Sequence, residues 1–173
     1  MTSPMLSVSV DGPIATLTMT RPDKRNAMCE GLLNAIDGFY SAPPEGVRAV
    51  ILTGTAGHFC SGLDLSEHVH RSAEQNLYHS RAWHAVMDKI QFGGLVTVSA
   101  MFGAVIGGGL ELAAATHVRI AEPSTVFQLP EGRRGIFVGG GATARVGRLL
   151  GADRMTEMML TGRKYDAAEG KTL

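Results

Sequence analysis

The 173-residue chain predicts an α/β fold, and three observations carry that expectation. Short runs of β-branched and apolar residues alternate with stretches of helical period, the order expected where helices join mostly parallel strands. Glycine-rich text, above all "GAVIGGGLELAAA" at residues 103–115, falls where strands pass into helices. Apolar residues make up 45% and charged residues 18% of the chain, enough to bury a core in one domain and too apolar for disorder.

Taken in order, "LSVSV" and "IATLTMT" alternate β-formers around Asp11-Gly12, a turn dipeptide, and predict a hairpin. "RPDKRNAM" reads as a polar loop. Residues 29–40, "CEGLLNAIDGFY", set Leu32, Leu33, Ile36 and Phe39 on one helical face. "RAVILTG" predicts a short strand buried on both sides, and "TAGHFCSGLDL" the loop after it. Residues 72–91 predict a helix, although Leu77, Trp83, Val86, Met87 and Ile90 keep helical spacing only loosely. "LVTVSAMFG" is the next strand and "GGGLELAAATH" the next helix; "VRIAE" and "TVFQLPE" are two further strands. Residues 140–150 and 153–160 predict two helices, and "KYDAAEGKTL" reads as the beginning of one more.

Composition narrows the function. Lys plus Arg equals Asp plus Glu at 16 each, without the basic excess of a nucleic-acid binder. Residues 93–110 carry no charge, but six glycines interrupt them, so they predict strand, turn and helix start and no membrane span. "MTSPMLSVSVDG" has neither a basic flank nor an apolar core, which argues against a signal peptide. Two cysteines, Cys29 and Cys60, are too few for a disulfide framework and predict reduced thiols in the cytoplasm. His68, His70, His79 and His84 show no metal-ligand spacing. Ser61 and Cys60 lack a nucleophile elbow, and neither the dinucleotide G-x-G-x-x-G spacing nor a P-loop lysine is present.

What remains is a set of acids beside glycines. Glu111 stands alone in an apolar segment directly behind Gly107, Gly108 and Gly109. The first N–H groups of a helix have no internal partner and carry the positive end of its dipole, so one of them can steady an oxygen that becomes negative. Gly108 and Glu111, three apart, share one side of that first turn. A glutamate that only complements the dipole, with glycines for close packing, is the competing account. Asp64-Leu65-Ser66-Glu67 has the form of a capping box with Asp64 as N-cap; ahead of it Gly62 frees the turn and Leu63 offers a second N–H. Pro130 fixes the backbone before Glu131, and Gly139-Gly140-Gly141 form another anion-friendly helix start.

Together "TRPDKRNAM", "RAVILTGTAGHFCSGLDL", "GAVIGGGLELAAATHVRIAE" and "FQLPEGRRGIFVGGGATARVGRLLG" resemble the enoyl-CoA hydratase/isomerase family, the crotonases. The resemblance implies a spiral of ββα units, with residues 1–173 as one core domain that lacks the family's C-terminal helical region. It implies an acyl-CoA thioester substrate whose oxygen is held by the N–H groups of Leu63 and Gly108. The family's two catalytic glutamates fall on Glu111 and Glu131, and the presence of both favours hydration over isomerisation. Substrate and coenzyme A are expected along Arg25, Asn26, Ala27, Met28, Leu63, Asp64, Leu65, Ser66, Gly107, Gly108, Pro130 and Gly139. Arg21, Lys24 or Arg25 would meet the phosphates, while Arg133, Arg134, Arg145, Arg148 and Arg154 are expected at the surface or a subunit contact.

Coenzyme A arrives as the substrate's carrier; no bound cofactor, metal, nucleic-acid or membrane partner is implied, and a homo-oligomer, a trimer or dimer of trimers, is. Phe137 and Val138 depart from the family's usual "GIPGAGGT"-like text and point to a short or heteroatom-bearing acyl group, of which methylthioacryloyl-CoA is an example. The alternatives are double-bond isomerisation or other CoA-thioester enolate chemistry and, from another class, a non-catalytic fragment or an RNA-binding relative.

Overall fold

A computed structural model describes residues 3–67 and 71–172, so His68 and His70 lie outside the described residues. The predicted hairpin forms from β1 (Leu6–Asp11) and β2 (Ile14–Met19), antiparallel from Leu6↔Met19 to Asp11↔Ile14. After it come α1 (Glu30–Ser41), β3 (Ala49–Thr53), α2 (Ala73–Phe92), β4 (Val96–Met101), β5 (Ala104–Ile106), α3 (Gly108–Ala115), β6 (Val118–Ala121) and β7 (Val126–Gln128). The chain continues through α4 (Ala142–Leu150), α5 (Ala152–Thr161), β8 (Lys164–Asp166) and α6 (Ala167–Thr172). Three-residue and four-residue 3-10 turns stand at Pro22–Lys24, Leu65–Glu67 and Glu131–Arg134.

Five strands form one sheet in the order β1-β2-β3-β4-β6, parallel throughout except for β1. A second sheet holds β5-β7-β8, with β5 parallel and β8 antiparallel to β7. This is an α/β arrangement, as the sequence predicts. The core lies between the first sheet and α1 and α2: Ala15, Leu17, Val50 and Leu52 point from the strands at Leu32, Leu33, Ile36, Met87 and Ile90. Each buried Leu or Ile contributes roughly 1.5–3 kcal/mol relative to exposure. Inside it, the Tyr40 hydroxyl and Thr97 Oγ1 pair at 2.9 Å.

Several elements differ from the sequence expectation. β3 is buried on one face only: Val50 and Leu52 are covered, whereas Ala49, Ile51 and Thr53 stay half-buried. The helices cover one side of the sheet, and the other presents Ile14, Val96, Val118 and Ile120. Leu77 is exposed, because α2 packs only from Trp83 onward and its first turns rest on a reciprocal Ser72–Gln75 cap. β5 and β8 were absent from the expected elements. Both are three residues long and exist through partners distant in sequence, Val126 opposite Ala104 and opposite Asp166.

The sheets also deliver main chain to one place. Cys60 N–H donates to the Ala104 carbonyl and Ile106 N–H to the Cys60 carbonyl, at 2.9 and 3.1 Å. Met28 N–H donates to Gly62 and Asp64 N–H to Met28, at 2.7 and 2.9 Å. The segment of residues 60–64 is thereby fixed between the loop at Met28 and the approach to α3.

Candidate active site

The segment leading to Leu63 is shaped by Asn26. Its buried side chain donates to the carbonyls of Thr55 and His58 (3.0 and 2.7 Å) and accepts from Arg21 N–H and Thr55 Oγ1 (3.0 and 3.1 Å). Gly62 follows at φ 95°, where a Cβ would fall 2.6 Å from the Ile106 carbonyl oxygen. That close approach sets Leu63 beside Gly108: a Cβ on Gly108 would lie 3.4 Å from the Leu63 nitrogen and 2.8 Å from the Trp83 ring. Neither the Leu63 nor the Gly108 N–H donates to an acceptor among the described residues. Two unspent main-chain donors thus sit side by side, one of them the first N–H of α3.

Glu111, one turn along α3, is 3% exposed. Gly140 N–H donates to both of its carboxylate oxygens (2.9 and 3.0 Å), and Ala142 N–H donates to Oε1 (3.2 Å). The second glycine-rich helix start therefore receives an anion supplied by the protein. Burial raises the Glu111 pKa above the ordinary carboxyl value, against the pull of those two N–H groups and of Arg145. The anion-friendly helix start read at Gly139-Gly140-Gly141 is thus the partner of Glu111 itself.

Glu131 opens its 3-10 turn directly after Pro130 and is 6% exposed. Its Oε2 is buried with no hydrogen-bond partner among the described residues, and its Oε1 would lie 2.7 Å from a Cβ on Gly107. Burial first, then the charge of Glu111, push its pKa up to about 7. The acids occupy unlike settings, one cradled by N–H groups and one half-orphaned.

Both acids border one cavity of about 390 Å³, with Leu63, Gly108, Trp83 and Phe137 also in its wall. It joins a larger one of about 720 Å³ through Leu63, Leu65, Gly108, Glu131 and Ile136. Arg25, Ala27, Asp64, Ser66, Gly107 and Pro130 line the larger cavity, and Gly139 the smaller. A third cavity of about 490 Å³, between Leu110, Ile120, Val146, Met158 and Tyr165, shares no wall with them and has no carboxylate in its lining.

Not every expected contact residue reaches the cleft. Asn26 and Met28 are fully buried and turn inward, because their side chains hold the loop and fill the core. Arg21 is not available to a phosphate: it donates to the Ala27 carbonyl and pairs with Asp64 at 2.9 Å. Asp64 does cap the following turn, accepting from Ser66 N–H and Oγ, but Glu67 bonds Glu30 N–H and does not complete the box. The Ser66 hydroxyl bond, and after it Arg21, hold the Asp64 pKa down at about 2. Arg145, expected at the surface, is 8% exposed and reaches the turn beside Glu111. Burial pushes the Cys60 thiol up to about 12, and Ser61 Oγ donates to the Lys24 carbonyl, so neither is set up as a nucleophile.

Residues 10–173 match the family described as Enoyl-CoA hydratase/isomerase, and the chain belongs to that family. It is 37% identical over 164 residues to the bovine "Enoyl-CoA hydratase domain-containing protein 2, mitochondrial", covering 92% of this chain and 55% of that protein. A solved structure from Rhodopseudomonas palustris CGA009, assigned as an enoyl-CoA hydratase, superposes with a TM-score of 0.94 at 51% identity, over 97% of this chain and 65% of the other. Another protein so assigned, from Thermobifida fusca YX, was solved in complex with CoA; it matches with a TM-score of 0.85 at 26% identity, over 97% of this chain and 68% of that one. The chain spans little more than half of the bovine relative and about a quarter of the rice "Peroxisomal fatty acid beta-oxidation multifunctional protein". Among the described residues no helix is long and apolar enough to cross a membrane.

Proposed function

We propose that the protein adds water across the 2,3 double bond of a short 2-enoyl-CoA thioester. One observation carries this reading: two buried carboxylates, Glu111 and Glu131, border a single cavity into which the unspent N–H groups of Leu63 and Gly108 also open. The thioester oxygen accepts from those two amides. A water held between the acids loses a proton to Glu111 as its oxygen bonds Cβ. The electron pair of the double bond moves onto the thioester oxygen, giving an enolate. As the enolate collapses, Cα takes a proton from Glu131, and transfer of one proton from Glu111 to Glu131 resets the pair. Each amide donor is worth ~3 kcal/mol to the enolate-like transition state.

The division of roles follows the two environments. Burial raises the Glu111 pKa as well, but main-chain donors oppose the rise there, which suits Glu111 to the base role. Glu131, with one orphaned oxygen and a pKa pushed to about 7, suits a group that gives a proton near neutral pH. Because the two charges interact, the pair titrates together. Lys24, Arg25, Arg133 and Arg134 ring the larger cavity and would meet the phosphates of coenzyme A. Asn76 and Ser80 join Trp83 and Phe137 in the smaller cavity, a lining that suits a short acyl group with a heteroatom, as in methylthioacryloyl-CoA. Free, buried Cys29 and Cys60 suit a reducing compartment such as the cytoplasm.

The test mixes the protein with short 2-enoyl-CoAs and follows loss of the conjugated enoyl absorbance. A steady catalytic loss is expected. No loss from any acyl length would refute hydration, and faster gain of that absorbance from a 3-enoyl-CoA would replace it with isomerisation.

A further inference from the structure

Arg145 sits on α4 with its guanidinium buried between two helices. Nε donates to Gln91 Oε1 at 2.7 Å and Nη2 to Asp88 Oδ1, both near the end of α2. Nη1 donates to the Gly140 carbonyl at 3.3 Å. A single planar fork therefore ties α2 to the turn that precedes its own helix. The turn is cut to admit it: Gly141 stands at φ 100°, and a Cβ there would fall 2.2 Å from Nη1. That same turn presents the Gly140 and Ala142 N–H groups to the carboxylate of Glu111.

We propose that Arg145 is a positioning residue for Glu111, clamping the turn of residues 140–142 to α2 so that its N–H groups hold the carboxylate in line with the attacking water. The inference rests on the hydratase reading of the cleft. Its cation also acts through space, favouring the charged form of Glu111 against burial. Other groups act on the same carboxylate. Glu131 opposes its ionisation, and Asp88 on α2 is offset by its contact with Arg145. From α2, His79 lines the shared cavity, and His84 lies beside Gly141, 3.3 Å from where a Cβ would stand. β5, the strand before α3, contributes only Ala104, Val105 and Ile106.

The experiment compares Arg145→Gln and Arg145→Lys with the unaltered protein. The readouts are kcat, KM, the pH dependence of kcat, and the titration of Glu111 by carboxyl-carbon NMR, its signal assigned by its disappearance in Glu111→Gln. In Arg145→Gln, kcat is expected to fall about 10²-fold, the scale of a misaligned reacting group, with KM little changed. Loss of the cation raises the Glu111 pKa, so the rising acid limb of kcat moves to higher pH. Arg145→Lys keeps the charge without the fork: the limb returns while most of the rate loss stays. If Arg145→Gln fails to fold, Asp88→Asn loosens the clamp from the exposed side while keeping the cation: kcat should fall by less, and the limb should not move to higher pH, because a charge that offsets Arg145 is gone. In Arg145→Gln, an unchanged limb and an unchanged Glu111 titration, with any rate loss matching a lower melting temperature, would overturn the proposal. Should the unaltered protein fail to hydrate any enoyl-CoA, the hydratase reading falls by itself, and the Glu111 titration still decides whether Arg145 governs that carboxylate.

Discussion

Two glycine triplets open helices in this protein, and they end in opposite states. At residues 107–109 Gly108 lines the cleft, and its N–H has no acceptor among the described residues. At residues 139–141 the N–H of Gly140, with that of Ala142, is spent on Glu111. The local chemistry is alike in both: glycine removes the Cβ that would block an approach, and the helix start supplies donors. The difference lies in what the rest of the fold brings. Trp83 and the Leu63 main chain wall in the first turn without filling it, whereas α3 carries Glu111 directly to the second. In the proposed hydration the unfilled donor waits for charge to develop, and the filled one fixes the acid that takes part.

The largest expected effect comes from neutralising the acids. Glu111→Gln and Glu131→Gln should each lower kcat on a 2-enoyl-CoA by on the order of 10²–10⁴, the range for positioned acid–base groups. Steady-state rates near wild type for either variant would dissolve the contrast between the turns. Next is Gly108→Ala at the unfilled donor. A methyl 2.8 Å from the Trp83 ring must displace it or the turn. A loss of roughly 10²–10³ in kcat, with substrate affinity largely kept, is the signature of a donor used mainly in the transition state.

The smallest effect is on stability and separates the acids themselves. Glu131 rises from an ordinary 4.5 to about 7 in the folded chain. Below pH 4.5 both states hold the proton; as pH climbs toward 7 the unfolded chain releases it and the folded chain does not, so stability is lost across that window, by about 3 kcal/mol in all. Glu131→Gln removes this penalty. Its denaturation midpoint should exceed wild type at pH 8 and match it at pH 4. Glu111→Gln should gain less, because an amide that turns its NH₂ toward Gly140 gives up an accepted bond. Equal gains for both variants would show that the turn before α4 does not stabilise the charge.

Much of this is legible in the sequence. Alternation around Asp11-Gly12 marked the hairpin, and the isolation of Glu111 in apolar text marked a buried acid. The pairing of Gly108 with Leu63 came through family resemblance, and the fold does set the two side by side. What sequence concealed was long-range in origin. Arg145 looks like any helical arginine until Asp88 and Gln91 on α2 arrive to receive it. Arg21 looks like a phosphate ligand until Asp64 closes on it. β8 has no periodicity to read in three residues; its antiparallel partner Phe127 opposite Tyr165 defines it. The signal that could have flagged Arg145 was the triplet just ahead of it, since glycine at 141 leaves room that something must occupy.

The donor at position 63 has a further consequence for how such a cleft can change. An amide hydrogen is common property of every residue but proline, so the proposed hydration imposes no demand on the side chain there. Leu63, which borders both cavities, is thereby free to be exchanged for another shape. Substrate preference can drift at that position while the electrostatics of the step stay put, and only a proline would silence both at once.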